Sequence, residues 1–179
     1  VNLTNTNSST SINLGTNGTS TYNGNIIVSS SGGADGVYFN TTASASSVLA
    51  ATRTITIGGS GFNAGTLGLY RFTQTGATTQ TLNTLSGTAR LNLGPSTQFG
   101  GNVVFASPRL FLNGITVAGT ATIEKTGASD DAGNGGNVFN DVTTITNSGS
   151  GYLMTGNGNS DQFNALTTFN NTGSHRIYF

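Results

Sequence analysis

FNDVTTITNSGSG occupies residues 139–151, and FNALTTFNNTGSH occupies residues 163–175. Laid over each other at an offset of 24 residues, seven of the first twelve positions agree: Phe, Asn, Thr, Thr, Asn, Gly and Ser. Most of the others are alike in kind, such as Val142 with Leu166 and Ile145 with Phe169. Two looser copies lie upstream, YNGNIIVSSSG from Tyr22 and FGGNVVFASPRLFLNG from Phe99. In all four an aromatic residue leads, and an apolar residue follows six places on, at Val28, Phe105, Ile145 and Phe169.

Alternate residues of a strand face the same side. Counting in twos from the aromatic gives Phe139, Asp141, Thr143, Ile145 and Asn147, then Phe163, Ala165, Thr167, Phe169 and Asn171. This row is the expected inward face. Asp141 is its misfit and is placed near a strand start, where a turn satisfies it. A second short apolar run follows each Gly/Asn/Ser turn: VYF at 37–39, RLFL at 109–112, YLM at 152–154 and RIYF at 176–179.

A unit of about 24 residues with two or three short strands fits one rung of a parallel β-helix. Each rung pairs with those above and below at about 4.8 Å. One rung alone buries almost nothing, whereas a stack buries a continuous core. The fold expected is therefore all-β, a parallel β-helix (β-solenoid) of roughly seven rungs, about 35 Å long. The alternative is an antiparallel β-sandwich of hairpins. Residues 1–179 read as one solenoid segment of a longer chain, most regular at 132–179. At 40–98 the alternation persists, as in RTITI, LYRF and ARLNL, but its spacing wanders, implying irregular rungs or insertions. No stretch has an uninterrupted 3.6-residue apolar period, so no helix is expected.

Composition agrees. Only 7% of residues are charged, against about a quarter in ordinary domains, and 27 are glycine. Disorder usually couples low apolar content with high net charge; here the net charge is zero and 34% of residues are hydrophobic. One lysine, Lys125, and five scattered arginines supply no basic surface for nucleic acid. No apolar run is long enough for a helix to span a membrane. There is no cysteine, hence no disulfide and no thiolate site.

The stretch from Ala121 to Phe179 resembles repeat regions of giant secreted adhesins of marine Bacteroidota, which tile G-N-x-F-N-x-x-T-T-[IF]-x-N-[ST]-G-S. The matching positions are Gly136, Asn137, Phe139, Asn140, Thr143, Thr144, Asn147, Gly149 and Ser150, then Phe163 through Ser174. The resemblance implies an extracellular surface fibre exported by type IX secretion. It also implies a grappling-hook-like filament used for attachment or prey capture, gripping prey or host surface structures or glycans.

Candidate sites are few. SGGADGVYF (31–39) and GNGNSDQF (156–163) resemble pieces of a glycine-rich calcium repeat, but such sites need consecutive repeats and six to eight oxygens per ion. A surface calcium would sit best at 124–137, on Glu124, Asp130 and Asp131; turn roles are the expected ones. His175, the lone histidine, is expected in solvent without a catalytic or metal role. Six acids over seven rungs do not make the carboxylate set of a carbohydrate-active β-helix enzyme. No catalytic, cofactor or metal residue is assigned, and the chain is not expected to be an enzyme. The expected partners are copies of itself. A glycan-binding module would use Tyr70 or Tyr152 as stacking platforms.

Overall fold

Phe139 and Phe163 are directly paired on adjacent parallel strands, their rings stacked at 5.3 Å and 5°. The computed structural model describes residues 1–33 and 35–179. Every strand ladder in it is parallel. Hairpins would pair sequential strands antiparallel. Among the described residues the antiparallel contact is a single bridge, Asn134 with Gly156. The chain is a parallel β-solenoid, and the sandwich alternative is excluded by strand direction.

Each coil contributes one strand to each of three faces. The first face holds Asn2–Asn5, Ile26–Ser30, Ile55–Phe62, Gln80–Leu82, Val103–Ser107, Ala121–Lys125, Thr143–Asn147 and Thr167–Asn171. The second holds Ile12–Leu14, Val37–Phe39, Thr66–Leu69, Arg90–Leu93, Arg109–Leu112, Asp131–Ala132, Leu153–Met154 and Ile177–Tyr178. The third holds Gly18–Tyr22, Ala45–Leu49, Phe72–Gln74, Thr97–Phe99, Ile115–Val117, Val138–Phe139 and Gln162–Phe163. Over the described residues the chain completes seven turns and begins an eighth.

The core is a set of columns. On the third face Tyr22, Leu49, Gln74, Phe99, Val117, Phe139 and Phe163 stand in one register. On the first, Leu82, Phe105, Ile123, Ile145 and Phe169 do the same. The columns meet edge to face, Phe99 against Phe105 at 5.3 Å and Phe163 against Phe169 at 5.5 Å. All the leading aromatics of the repeat thus belong to one column, as like-over-like stacking requires.

One detail differs from the single-strand reading. Phe139 ends a strand of the third face, and Thr143 opens the next strand on the first. The inward row therefore runs round a corner. There Asp141 and Val142 point outward, and the Asp141 carboxylate accepts the Val142 N–H at 2.7 Å. The turn satisfies Asp141, but outside the core.

The repeated glycine has a steric cause. Gly127, Gly149 and Gly173 stack at the corner after the first face. A Cβ on Gly149 would lie 2.0 Å from the Gly127 carbonyl oxygen, and one on Gly173 would lie 1.9 Å from that of Gly149. The period itself is elastic. Thr143 faces Thr167, 24 residues on, but Thr97 faces Ile115, 18 on, and Val37 faces Leu67, 30 on. Corner loops absorb the difference, so the wandering middle consists of coils of altered length.

Candidate functional site

Two of the faces are not continuous ladders, and buried polar side chains stand where backbone pairing lapses. Between Ile55–Phe62 and Gln80–Leu82, the Gln80 amide accepts the Ile55 N–H at 2.9 Å and donates to the Arg53 carbonyl at 3.0 Å. Between Arg109–Leu112 and Asp131–Ala132, the Asp131 carboxylate does this work. One oxygen accepts the Leu110 N–H at 2.9 Å, and the other accepts Arg109 Nε at 2.9 Å. A buried N–H left unpaired is costly, so these side chains complete the sheet.

Asp131 is fully enclosed, and so is Lys125. Burial pushes the Asp131 carboxyl up from its ordinary 3.8; the Leu110 N–H and Arg109 oppose this. The Lys125 ammonium donates to the carbonyls of Gly127 at 2.6 Å and Gly151 at 3.2 Å. Burial pulls its pKa down from 10.5, against the attraction of Asp131 and Asp130. Lys125 belongs to a polar interior column with Ser107 and Asn147, which the exposed Asn171 of the last coil continues in register.

The three residues named for calcium have protein partners. Asp130 accepts the Tyr152 N–H at 2.9 Å, Glu124 accepts the Ser148 hydroxyl, and Asp131 is the internal ion pair just described. Among the described residues no three His, Asp or Glu side chains converge. Turn roles describe Asp130, Asp141 and Asp161, whose carboxylate accepts the Asn137 N–H at 3.0 Å and its amide at 2.8 Å. They do not describe Asp131, which opens a strand inside the coil; a paired partner 22 residues away left no mark in the local sequence. The 31–39 stretch includes Ala34, which lies outside the described residues; from Val37 it is a strand of the second face. His175 is exposed in the turn before Ile177–Tyr178. Tyr152 is half-buried, edge-on to Tyr178 at 5.7 Å.

The outer surface of the second face carries a different cluster. Tyr38 and Tyr70 lie parallel, 5° apart in plane with centroids at 6.5 Å. A Cβ on Gly68 would meet Tyr38 at 2.5 Å and Tyr70 at 2.9 Å, and one on Gly94 would meet Tyr70 at 1.7 Å. The two glycines therefore clear the ground on which the rings rest. Asn92 donates to the Tyr70 hydroxyl at 3.0 Å. Arg90 and Arg109 both approach the Phe111 ring, at 5.0 and 5.3 Å from its centroid. Strand parity in VYF, ARLNL and RLFL puts Tyr38, Arg90 and Phe111 outward, but their adjacency depends on coil register.

Burial pushes the Tyr70 phenol above 10.0, reinforced by Tyr38 and opposed by Arg90 and the Asn92 bond. The unfolded phenol ionises first, so Tyr70's contribution is intact below pH 10 and is lost as pH rises through the folded value. The stability difference between the protein and its Tyr70→Phe variant should shift against the tyrosine between pH 9 and 11 in urea titrations. A difference constant over that range would contradict the buried phenol.

The last coil is open on one side. Thr167–Asn171 pairs with Thr143–Asn147 alone, leaving Phe163 and Phe169 only partly covered. Phe179 stacks on Phe169 at 4.3 Å and is 74% exposed. At the other end Leu3, Ile12 and Leu14 are likewise half-covered. Comparison with protein families, with curated proteins and with solved structures gives no match.

Proposed function

We propose that this chain is a structural and adhesive module of an extracellular surface fibre, its coils adding end to end with those of further copies. One observation carries the reading: coils of parallel strands paired in register from Asn2–Asn5 to Thr167–Asn171, like units stacked on like. Phe163, Phe169 and Phe179 would cover Leu3, Ile12 and Leu14, and the parallel ladders would run on through the junction. A strand edge with unpaired N–H and C=O groups is a template for a further strand, and zero net charge sets no repulsion against stacking. The resemblance to giant secreted adhesins supplies the setting, attachment or prey capture at the cell surface, and the role is mechanical rather than catalytic.

Sedimentation velocity over a concentration series tests this. The protein should shift to larger species as concentration rises, and a Phe169→Lys/Phe179→Lys variant with the same circular dichroism should not. A wild-type monomer throughout the series would overturn the reading.

A further inference from the structure

We infer that the outer surface of the second face, around Tyr38 and Arg90, is a binding site for an acidic polysaccharide. This names a ligand class for the adhesive module proposed above and rests on that reading for its setting. Tyr38 stands between two depressions. One, of about 340 Å3, is formed by Tyr38, Thr66, Thr88 and Arg90 over a glycine floor; the other, of about 360 Å3, is formed by Tyr38, Tyr70, Arg71 and Pro95. Each is at the small end of ligand clefts. Because they share the Tyr38 ring as their common wall, a ligand filling both must be extended and must cross that ring. A chain of pyranose rings fits this shape: its C–H faces pack on aromatic rings, and its hydroxyls meet threonine hydroxyls.

Charge fixes the class more narrowly. Arg109 is held by Asp131, and the Arg71 guanidinium is spent on the carbonyls of Asn40, Thr42 and Ala45. Arg90 differs: among the described residues no carboxylate lies within ion-pair distance of it. Its guanidinium lies over Phe111 at the rim of the first depression, an arrangement that holds the planar fork in place. Such a fork matches a carboxylate or a sulfate ester in two parallel hydrogen bonds. A neutral glycan would leave the cation unmatched. A nucleic acid would need a basic track, and this chain has six Lys and Arg in all. Gly68 and Gly94 add a second line of argument, since any side chain there would displace the two tyrosines.

Isothermal titration of the whole chain, below its assembly concentration, tests the site with four probes: hexagalacturonate, a sulfated galactan hexamer, cellohexaose and an oligothymidylate. Binding is expected for at least one acidic hexamer, weakening as salt rises. Arg90→Gln should weaken it by about 10-fold or more, the scale of one lost charge-assisted pair. Tyr38→Ala should abolish it, and Arg176→Gln, on the distant last coil, should not change it. Circular dichroism and melting of each variant show that the fold is kept; if Tyr38→Ala melts early, Tyr38→Leu replaces it. Binding to neither acidic hexamer, equal binding of cellohexaose or oligothymidylate, or an unchanged Arg90→Gln affinity would each overturn the site. Sedimentation of the wild-type chain reads assembly separately, so an assembling wild type that binds neither acidic hexamer refutes the glycan site and leaves the fibre standing.

Discussion

Replacing Phe139 with alanine is expected to destabilise the chain by about 3–5 kcal/mol, the cost of emptying a large aromatic site in a packed core. The ring is fully buried, stacks on Phe163, and sits in the column that runs from Tyr22 to the last coil. Closing the cavity would require two coils to approach, but backbone ladders hold them at the strand spacing. The repeat partner of Ile145 behaves differently. Phe169 lies in the last coil and is only partly covered, so Phe169→Ala should cost the isolated chain clearly less than Phe139→Ala. If copies stack end to end, that gap should narrow as concentration rises, because the next coil would then close over Phe169. Ser160 is an exposed turn residue, and Ser160→Ala should stay within about 0.5 kcal/mol. Urea titrations of the three variants decide the matter. A Phe139→Ala penalty as small as that of Ser160→Ala would mean the aromatic column does not hold the coils together.

The repeat at 139–151 and 163–175 was enough to read the fold, because here chain period and coil length coincide at 24 residues. Position by position, the matching letters have physical causes: Phe139 and Phe163 fill one column, Asn164 donates to Asn140 at 2.8 Å, and Gly149 and Gly173 allow carbonyls to pass close behind them. Substitutions fall where the solenoid allows them, as at Val142 and Leu166, which both point into solvent. Elsewhere register was illegible, because corner loops and a bulge set how far along the chain a residue's neighbour lies, and that distance runs from 18 residues for Thr97 and Ile115 to 32 for Ser30 and Phe62. The candidate sites depend on that register. Tyr38 meets Tyr70 and Arg90 only because one coil is long and the next shorter. Buried Gln80, Asn137 and Asp131 were hidden for a related reason. In a sequence crowded with turn formers they look like loop residues, yet each reaches across to a backbone group that ladder pairing left unmatched.

Asp131→Ala should be the most damaging change to a polar residue, at about 3 kcal/mol or more, the scale for breaking a buried ion pair by removing one partner. The substitution strands the buried Leu110 N–H, frees Arg109 Nε, and takes away the stronger of the two carboxylate attractions that offset the burial of Lys125. Arg109 is partly exposed and can turn to water; Lys125 is enclosed and cannot. Lys125→Met should therefore recover part of the loss, giving a coupling of about 1 kcal/mol in a double-mutant cycle. The pH dependence points the same way. Without Asp131, the folded Lys125 gives up its proton further below 10.5, at pH values where the unfolded chain still holds one. The unfolded state then binds more protons, and the Asp131→Ala variant regains stability as pH rises from 7 toward 10. Urea titrations at pH 7 and 9.5 on the single and double variants measure both effects. Strict additivity, with a penalty unchanged by pH, would show that Lys125 does not depend on Asp131, leaving the carboxylate only the pairing of Leu110 and Arg109.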